Sequence, residues 1–498
     1  VRYLENGEFR LVREAVQERN RLIENAPHYV HPLPTTIPIF SWTSGMLNAP
    51  LKFLGWLDRP SERGALVIKI GLTLYDAYTG GDRTVPRHQF QLRPASLRRY
   101  PDLNPEIICT ATYYDGAITS PERLCYEVLE DGLAAGPHAR ALNYVRAADA
   151  AGDTVTLRDE LTGDEIQVKP QIVINAAGPW IDFVNRALGQ DTRFIGGTKG
   201  SHLVLDHPEL RAAIGEHEFF FENDDGRIVL IFPFRDRVLI GTSDIPIEDP
   251  EDARCTEEEI DYFLQMIEKV FPRIAVDRSH IVYRFSGVRP LPAGDADSPG
   301  QISRDHSIKT VAAGNGFAFS ILSLVGGKWT TFRAFAEDAA DEVLDYLGRE
   351  RQTSTRERAI GGGRDYPRSE ADRQQYLHTL QERYDLPYDR LIHLFERYGT
   401  GGEAVAAFLV AGADAPLAGA ADYSRREIAY LTQNEQVVHL DDLLLRRTLL
   451  GMLGRLNTEL VEQAAEVVAE ALGWSQERKE TELSRTRQLL AEEHQLSV

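Results

Sequence analysis

The chain has 498 residues, 43% of them hydrophobic and 26% charged, enough for about two or three domains with substantial cores, which excludes wholesale disorder. Its formal net charge of −21, with no run of Lys or Arg, works against general nucleic-acid binding and leaves room for local anion sites. Cys109, Cys125 and Cys255 lie far apart with no CxxC pair, so neither a disulfide framework nor a thiolate metal site is expected and a reducing, cytoplasmic compartment fits.

From Glu8 onward Phe9, Val12, Val16, Leu22 and Ile23 fall near helical spacing, with Arg10, Arg13, Glu14 and Glu18 between them. This predicts an amphipathic helix that docks on later sequence or on a segment preceding Val1. Pro-rich irregular chain is expected to follow. No stretch approaches the ~20 continuous apolar residues of a membrane span. Residues 40–57, "FSWTSGMLNAPLKFLGWL", are nonetheless strongly apolar around a single Lys52. They read first as a buried or lid segment and second as a membrane-surface contact.

Ser120 as cap, Pro121 in the first turn and Gly132 and Gly136 near the end predict a helix within 118–136. Residues 153–180 read as a hairpin turning at 162–164, then an apolar strand at 172–174 running through "NAAGPW" into a helix. Short β-rich runs between 200 and 245 predict an antiparallel sheet. Thr256 and Glu259 form a capping-box pattern ahead of Ile260, Phe263, Leu264, Ile267 and Phe271. After "GGGRDYP" (361–367) the chain reads as a separate helical domain, with "DDLLLRRTLLGML" and "ELVEQAAEVVAEAL" as its clearest helical periods.

Chemistry concentrates in four places. "GGTKGSH" sets Lys199 and His202 at the mouth of a strand, "FSGVRPL" holds Arg289 between a Gly turn and a Pro, and "ISRDHS" adds Arg304. "SLVGGKWTTFRAFAEDAADEV" reads as strand, Gly-Gly-Lys turn and helix, a geometry whose free N–H groups receive anions. Forked guanidinium groups on rigid turns suit phosphate. Taken singly, each such residue is better explained by a surface ion pair or a structural histidine. No G-x-G-x-x-G occurs, and "GNGFAF" at 314–319 fails at its third glycine.

Taken together, "RYLE", "IGLTLYDAYTG", "NAAGPW", "KGSH", "GTSD", "SGVRPL", "SRD", "GGKWTTFR" and "YLTQNEQVVHLDDLLLRRT" resemble, in order and spacing, the FAD-dependent, respiratory-type glycerol-3-phosphate dehydrogenases. The resemblance spans nearly the whole chain and implies an α/β plus α fold. Residues 1–30, 104–195 and 301–350 would form an incomplete Rossmann-type FAD-binding domain of the D-amino-acid-oxidase-like kind. Residues 31–103 and 196–300 would form an antiparallel-sheet substrate domain, and 364–498 a C-terminal helical domain. In that family "RYLE" follows a βαβ nucleotide-binding unit of ~30 residues or more, so Val1 is expected to be a truncation point.

Residue by residue, the resemblance makes His202 the general base and Lys328 a catalytic lysine near the flavin ring. Arg2, Arg289 and Arg304 would hold the substrate phosphate with Tyr3 beside them. Gly326, Gly327 and Thr330 would lie at the ring's pyrimidine edge, and Ala177 and Gly178 on the turn lining FAD. The implied activity oxidises sn-glycerol 3-phosphate to dihydroxyacetone phosphate, with hydride passing to FAD and electrons to a membrane quinone. It further implies no metal, a peripheral seat on the inner face of the cell membrane, and room for a homodimer. An oxidase using oxygen, an FAD oxidase for another small hydroxy acid or amine, and a relic that no longer holds FAD stay open as alternatives. Two features depart from the family pattern: a longer loop over 41–56, and "SPERL" at 120–124 in place of an Asp-Ala-Arg-Leu-like sequence.

Overall fold

The computed structural model describes residues 9–42, 64–78, 84–223, 227–294, 305–314 and 316–498. Arg2, Tyr3, Arg304 and residues 43–57 of the apolar segment lie outside that set. Helix α1 (Phe9–Asn25) docks on later sequence. Val12 and Val16 pack against Tyr75, and Leu22 joins Ala26, Tyr29 and Leu124 in a small core. Glu18, buried beneath the helix, accepts hydrogen bonds from Arg333 at 2.7 and 2.9 Å.

The Pro-rich chain expected to be irregular is instead a ten-residue strand, β1 (Val30–Ile39). Tyr29 and Ile39 give their carbonyls to Thr119 and Ile108, which flank the neighbouring strand β3, so odd-numbered residues face that strand. Pro32, Pro34 and Pro38 are all even, and their nitrogens point to the opposite edge. There β1 pairs only at Thr35 and Thr36. A strand tolerates proline on an edge that needs no N–H donor, which reconciles the composition with the ladder.

Helix α2 (Ala65–Tyr78) precedes β2 (Gln89–Leu92) and β3 (Cys109–Ile118), and α3 (Pro121–Leu133) follows with proline in its first turn. Strands β4 (Val145–Ala151), β5 (Thr154–Asp159) and β6 (Glu165–Val168) form an antiparallel meander that includes the expected hairpin. Next come β7 (Ile172–Asn175) and α4 (Ile181–Ala187). Strands β8 (Thr198–Leu205), β9 (Glu218–Glu222), β10 (Ile228–Phe234), β11 (Arg237–Gly241) and β12 (Ile245–Pro246) lead to α5 (Glu257–Val270) and β13 (Ile281–Arg289). Strands β14 (Ser307–Val311) and β15 (Ser320–Val325) precede α6 (Phe332–Tyr346).

Nine of these strands form one sheet in the order β12-β8-β11-β10-β9-β1-β3-β2, with β13 on the other side of β8. Residues 109–118 thus belong to this sheet, beyond the expected boundary at 104. Helix α5 covers one face through Ile260, Phe263, Ile267 and Phe271, and its capping box is formed as expected. A second sheet, β14-β15-β7, places β15 and β7 parallel.

Beyond the glycines at 361–363, six helices enclose their own apolar core: α7 (Glu370–Tyr384), α8 (Tyr388–Tyr398), α9 (Gly402–Val410), α10 (Arg425–Asn434), α11 (Thr458–Leu472) and α12 (Gln476–His494). Ser369, Ser424, Asn457 and Ser475 cap four of them. The "DDLLLRR" period is not an α-helix but a six-residue π-helical stretch, Asp442–Arg447. Thr448 ends it, its hydroxyl donating to the carbonyls of Leu443 and Leu444. The helical domain is pinned to α3 by Arg123, whose fork donates to Glu435 at 2.8 and 2.9 Å.

Candidate active site

The centre of the large sheet carries the candidate site. In β8, residues alternate between faces, and β13 pairs Arg289 with Thr198, Gly287 with Gly200 and Phe285 with His202. These six share one face. The guanidinium of Arg289 lies over Gly200 and the imidazole of His202 over Gly241, while the space above Gly287 is open. A Cβ on Gly200 would lie 2.3 and 2.5 Å from the terminal nitrogens of Arg289, and one on Gly241 would lie 2.2 Å from the His202 ring. Glycine at both positions is what lets the two polar groups lie flat against the sheet.

His202 stacks on Phe285 with centroids 4.9 Å apart and planes 9° from parallel. Its Nδ1 and the hydroxyl of Thr198 are buried with no hydrogen-bond partner among the described residues. Buried polar atoms seldom stay unpaired in the working state of a protein, so this face is shaped for a polar ligand. Burial, reinforced by the charge of Arg289 and opposed by Glu259, lowers the His202 pKa to about 4. The imidazole is therefore neutral at physiological pH and able to accept a proton. Arg289 donates to the Thr242 hydroxyl at 2.7 Å and lies 3.4 Å from Asp244.

Lys199, expected beside His202, is on the opposite face. Its ammonium pairs with Glu259 at 2.8 Å and donates to the Arg254 carbonyl at 2.6 Å. Burial pushes the Glu259 carboxyl up, but hydrogen bonds from Lys199 and Ser243 outweigh it and hold the group below its usual value. The loop after β11 thus clasps both faces: Thr242 and Asp244 reach Arg289, while Ser243 reaches Glu259 and accepts from the Ser201 N–H at 2.9 Å.

A second set of residues gathers at the carboxyl ends of β7 and β15, where Asn175 lies opposite Ser323. Ala177 and Gly178 leave β7, and Gly326, Gly327, Lys328 and Thr330 leave β15, at the same end of the sheet. Gly178, Gly326 and Gly327 have φ of +58°, +82° and +92°, which glycine adopts without strain. No side chain caps the start of α6 or the turn before it. Crevices outside the carboxyl ends of parallel strands, with open helix N–H groups, are where α/β folds hold phosphorylated cofactors.

The two sets are tied together. The 178–180 turn touches β13. Asp182 of α4 accepts from the Phe194 and Ile195 N–H groups at 2.9 Å each, and Gly196 donates to the Leu291 carbonyl at 2.9 Å. Asn185 links both strand ends: it accepts from Asn175 at 2.8 Å and donates to Ser323 and Thr192, each at 3.0 Å. Phe285, Thr242, Asp244, Asn175 and Asn185 were not singled out from sequence. "GTSD" was the one signal for Thr242 and Asp244, while Phe285 needed the register.

Comparison with known proteins agrees with this layout. Residues 1–333 match the family described as FAD dependent oxidoreductase, and residues 353–479 match the C-terminal domain of alpha-glycerophosphate oxidase. The glycerol-3-phosphate dehydrogenase of Synechocystis sp. is 30% identical over 97% of this chain and 86% of its own length. The aerobic glycerol-3-phosphate dehydrogenase of Escherichia coli is 31% identical over 91% of this chain and 84% of its own. The X-ray structure of the glycerol-3-phosphate dehydrogenase from Bacillus halodurans, complexed with FAD, shares the fold with a TM-score of 0.70 at 23% identity, covering 96% of this chain and 85% of that one.

The residues present fit a flavin. Positive-φ glycines form both turns, and the space a Cβ on Gly178 would take is open to a flat ring. Sheet, cofactor turns and helical domain, with family matches over residues 1–333 and 353–479, place this chain in the FAD-dependent oxidoreductase family, among the glycerol-3-phosphate dehydrogenases.

Proposed function

We propose that the protein oxidises sn-glycerol 3-phosphate to dihydroxyacetone phosphate. The observation that carries this is the neutral imidazole of His202, its Nδ1 unpartnered among the described residues, on the same sheet face as the Arg289 fork seated over Gly200. FAD supplies the hydride acceptor when bound, with Ala177, Gly178, Gly326, Gly327, Lys328 and Thr330 as the residues that would hold it. Arg289 grips the phosphate, with Arg2 and Arg304 as further phosphate ligands and Tyr3 beside them, and so fixes the alcohol carbon relative to the base. His202 takes the hydroxyl proton as hydride departs, a contribution of about 10²–10⁴-fold in rate. Phe285 and the sheet exclude water from the ring's lower face.

The test is anaerobic flavin bleaching on the FAD-loaded protein. Glycerol 3-phosphate should bleach the flavin, and glycerol should not, because losing the phosphate leaves the Arg289 site without its anion. Equal bleaching by both removes the phosphate-clamp reading.

Electrons are proposed to leave for a membrane quinone at the inner face of the cell membrane. Among the described residues no helix is long and apolar enough to cross a membrane. Helix α2, however, exposes Leu66, Ile70 and Leu74 at i, i+4 and i+8, and Trp42, 52% exposed, follows Ser41, whose carbonyl accepts from the Ala65 N–H at the start of α2. One apolar stripe on a helix surface suits the bilayer interface. Exchanging the three α2 residues for serine should release the protein from liposomes in flotation and slow quinone reduction, leaving anaerobic bleaching intact. Unchanged flotation assigns the contact elsewhere, and a parent that stays off liposomes and elutes as a dimer assigns the stripe to a second copy.

A further inference from the structure

A cavity of about 420 Å³ lies where α3, the β10–β11 turn and the helical domain meet. Six arginines line it: Arg123, Arg235, Arg397, Arg446, Arg447 and Arg455. Four carboxylates also line it, and Glu427, Glu435 and Asp441 pair with its arginines from behind, so what the cavity offers an anion is unused N–H donors and not net charge. One of the four, Glu122, has its carboxyl raised by burial, which favours its neutral form.

The protein does not use all of these donors. Arg235 spends one nitrogen on Glu396 at 3.1 Å, Arg455 one on Asp422 at 2.7 Å, and Arg446 one on Asp441 at 2.9 Å. Arg447 gives its Nε to the Glu435 carbonyl at 2.9 Å. Each guanidinium has five N–H donors in a flat fork, so among the described residues most of the donors of these four remain for another acceptor. By contrast Arg123 and Arg397 are held from several sides: Arg123 by Glu435 and Tyr29, Arg397 by Asp422 and Glu427. The cavity therefore has two structural arginines at its back and four with donors to spare. Its volume falls in the ~300–1,000 Å³ range of small-ligand pockets and exceeds what a single orthophosphate fills.

We propose that this cavity is a second anion site, separate from Arg289, that takes a small phosphorylated metabolite carrying at least two negative charges. Forked donors converging from the β10–β11 turn and the helical domain match phosphate oxygens, and one such ligand clamps the helical domain to the large sheet. The clamp lies close to the active face: Leu453 of the cavity wall packs with Tyr283 and Val204, whose strands carry Phe285 and His202.

The test is calorimetric titration of the full chain with inorganic pyrophosphate, in buffer saturated with FAD so that the cofactor's own diphosphate site is filled. The parent, Arg289→Gln and the double variant Arg235→Gln/Arg446→Gln are compared. Both exchanged residues sit at the cavity mouth, and Asp441 keeps Arg485 as partner when Arg446 is lost. Binding should survive Arg289→Gln and weaken about ten-fold or more in the double variant. Absence of binding in the parent, its loss in Arg289→Gln, or unchanged affinity in the double variant overturns the proposal. Should the double variant fail to fold, hydrogen exchange on the parent decides: pyrophosphate should protect residues 388–398 and 442–455, and no protection there overturns the proposal equally.

Discussion

His202 and Phe285 stack ring on ring at 4.9 Å across two strands that hold them in register. The aromatic plane therefore both aims the imidazole and keeps water from it. Phe285→Leu should lower kcat about ten-fold with little change in KM. It should also move the acid limb of the pH profile upward, since a better hydrated imidazole is easier to protonate. A profile that keeps the parent's acid limb would make Phe285 a packing residue only. In the parent that limb should lie well below 6.5, because His202 stays neutral down to about 4.

Gly200→Ala tests the seat of the Arg289 fork. The new methyl would stand 2.3 Å from one terminal nitrogen of Arg289 and 2.6 Å from the Thr242 hydroxyl, so the fork must turn away. KM for glycerol 3-phosphate should rise roughly 10–100-fold, the loss of one charge-assisted contact, while the flavin absorbance spectrum stays that of the parent. Steady-state kinetics beside the spectrum settle it.

Stability should respond to pH through two groups of opposite sign on neighbouring residues. Burial lowers His217 to about 4, so the unfolded chain binds the proton first and stability is lost as pH falls from about 6.5 toward 4. Burial raises Glu218 to about 7, so its contribution is full below the ordinary carboxylate range and is lost as pH rises through 7. Glu218→Gln should therefore gain about 2 kcal/mol over the parent at pH 8 and almost nothing at pH 4.5, after allowance for partial exposure. Urea midpoints at the two pH values measure the difference.

Asn185→Ala removes the link between the ends of β7 and β15 and leaves Asn175, Thr192 and Ser323 with unmade bonds. A cost of about 2–4 kcal/mol is expected from buried groups left unsatisfied. Because both cofactor turns spring from those strand ends, FAD affinity should fall with it. Thermal melts with and without added FAD read the two effects separately.

Local grammar made much of the fold legible. The Thr256–Glu259 box, the turn at 162–164 and the strand entering "NAAGPW" each depend on residues close in sequence, and each formed. What escaped the sequence depends on partners far away. Three prolines argue against a strand until the even-numbered edge of β1 is seen to need few donors. Lys199 and His202 read as one cluster until alternation sends them to opposite faces. Phe285 and Gly241 acquire meaning only from pairing with His202 at sequence separations of 83 and 39, respectively, which no local pattern encodes. Roles for His202, Arg289 and Lys328 were suggested by family resemblance, since a lone His, Arg or Lys carries no such information by itself.

The two-residue junction between β1 and β9 makes the nine-stranded sheet two plates joined by a short weld. Proline nitrogens on either side prevent the weld from lengthening. Its fasteners are two threonine hydroxyls: Thr35 donates to Glu218 at 2.7 Å, and Thr36 lies 2.9 Å from His217 Nδ1. Those partners are the same two groups whose protonation is displaced in opposite directions. Acid charges one fastener's partner and alkali charges the other's, so the plate bearing β2 and β3 is held most firmly to the plate bearing His202 in the interval between, where both partners are neutral.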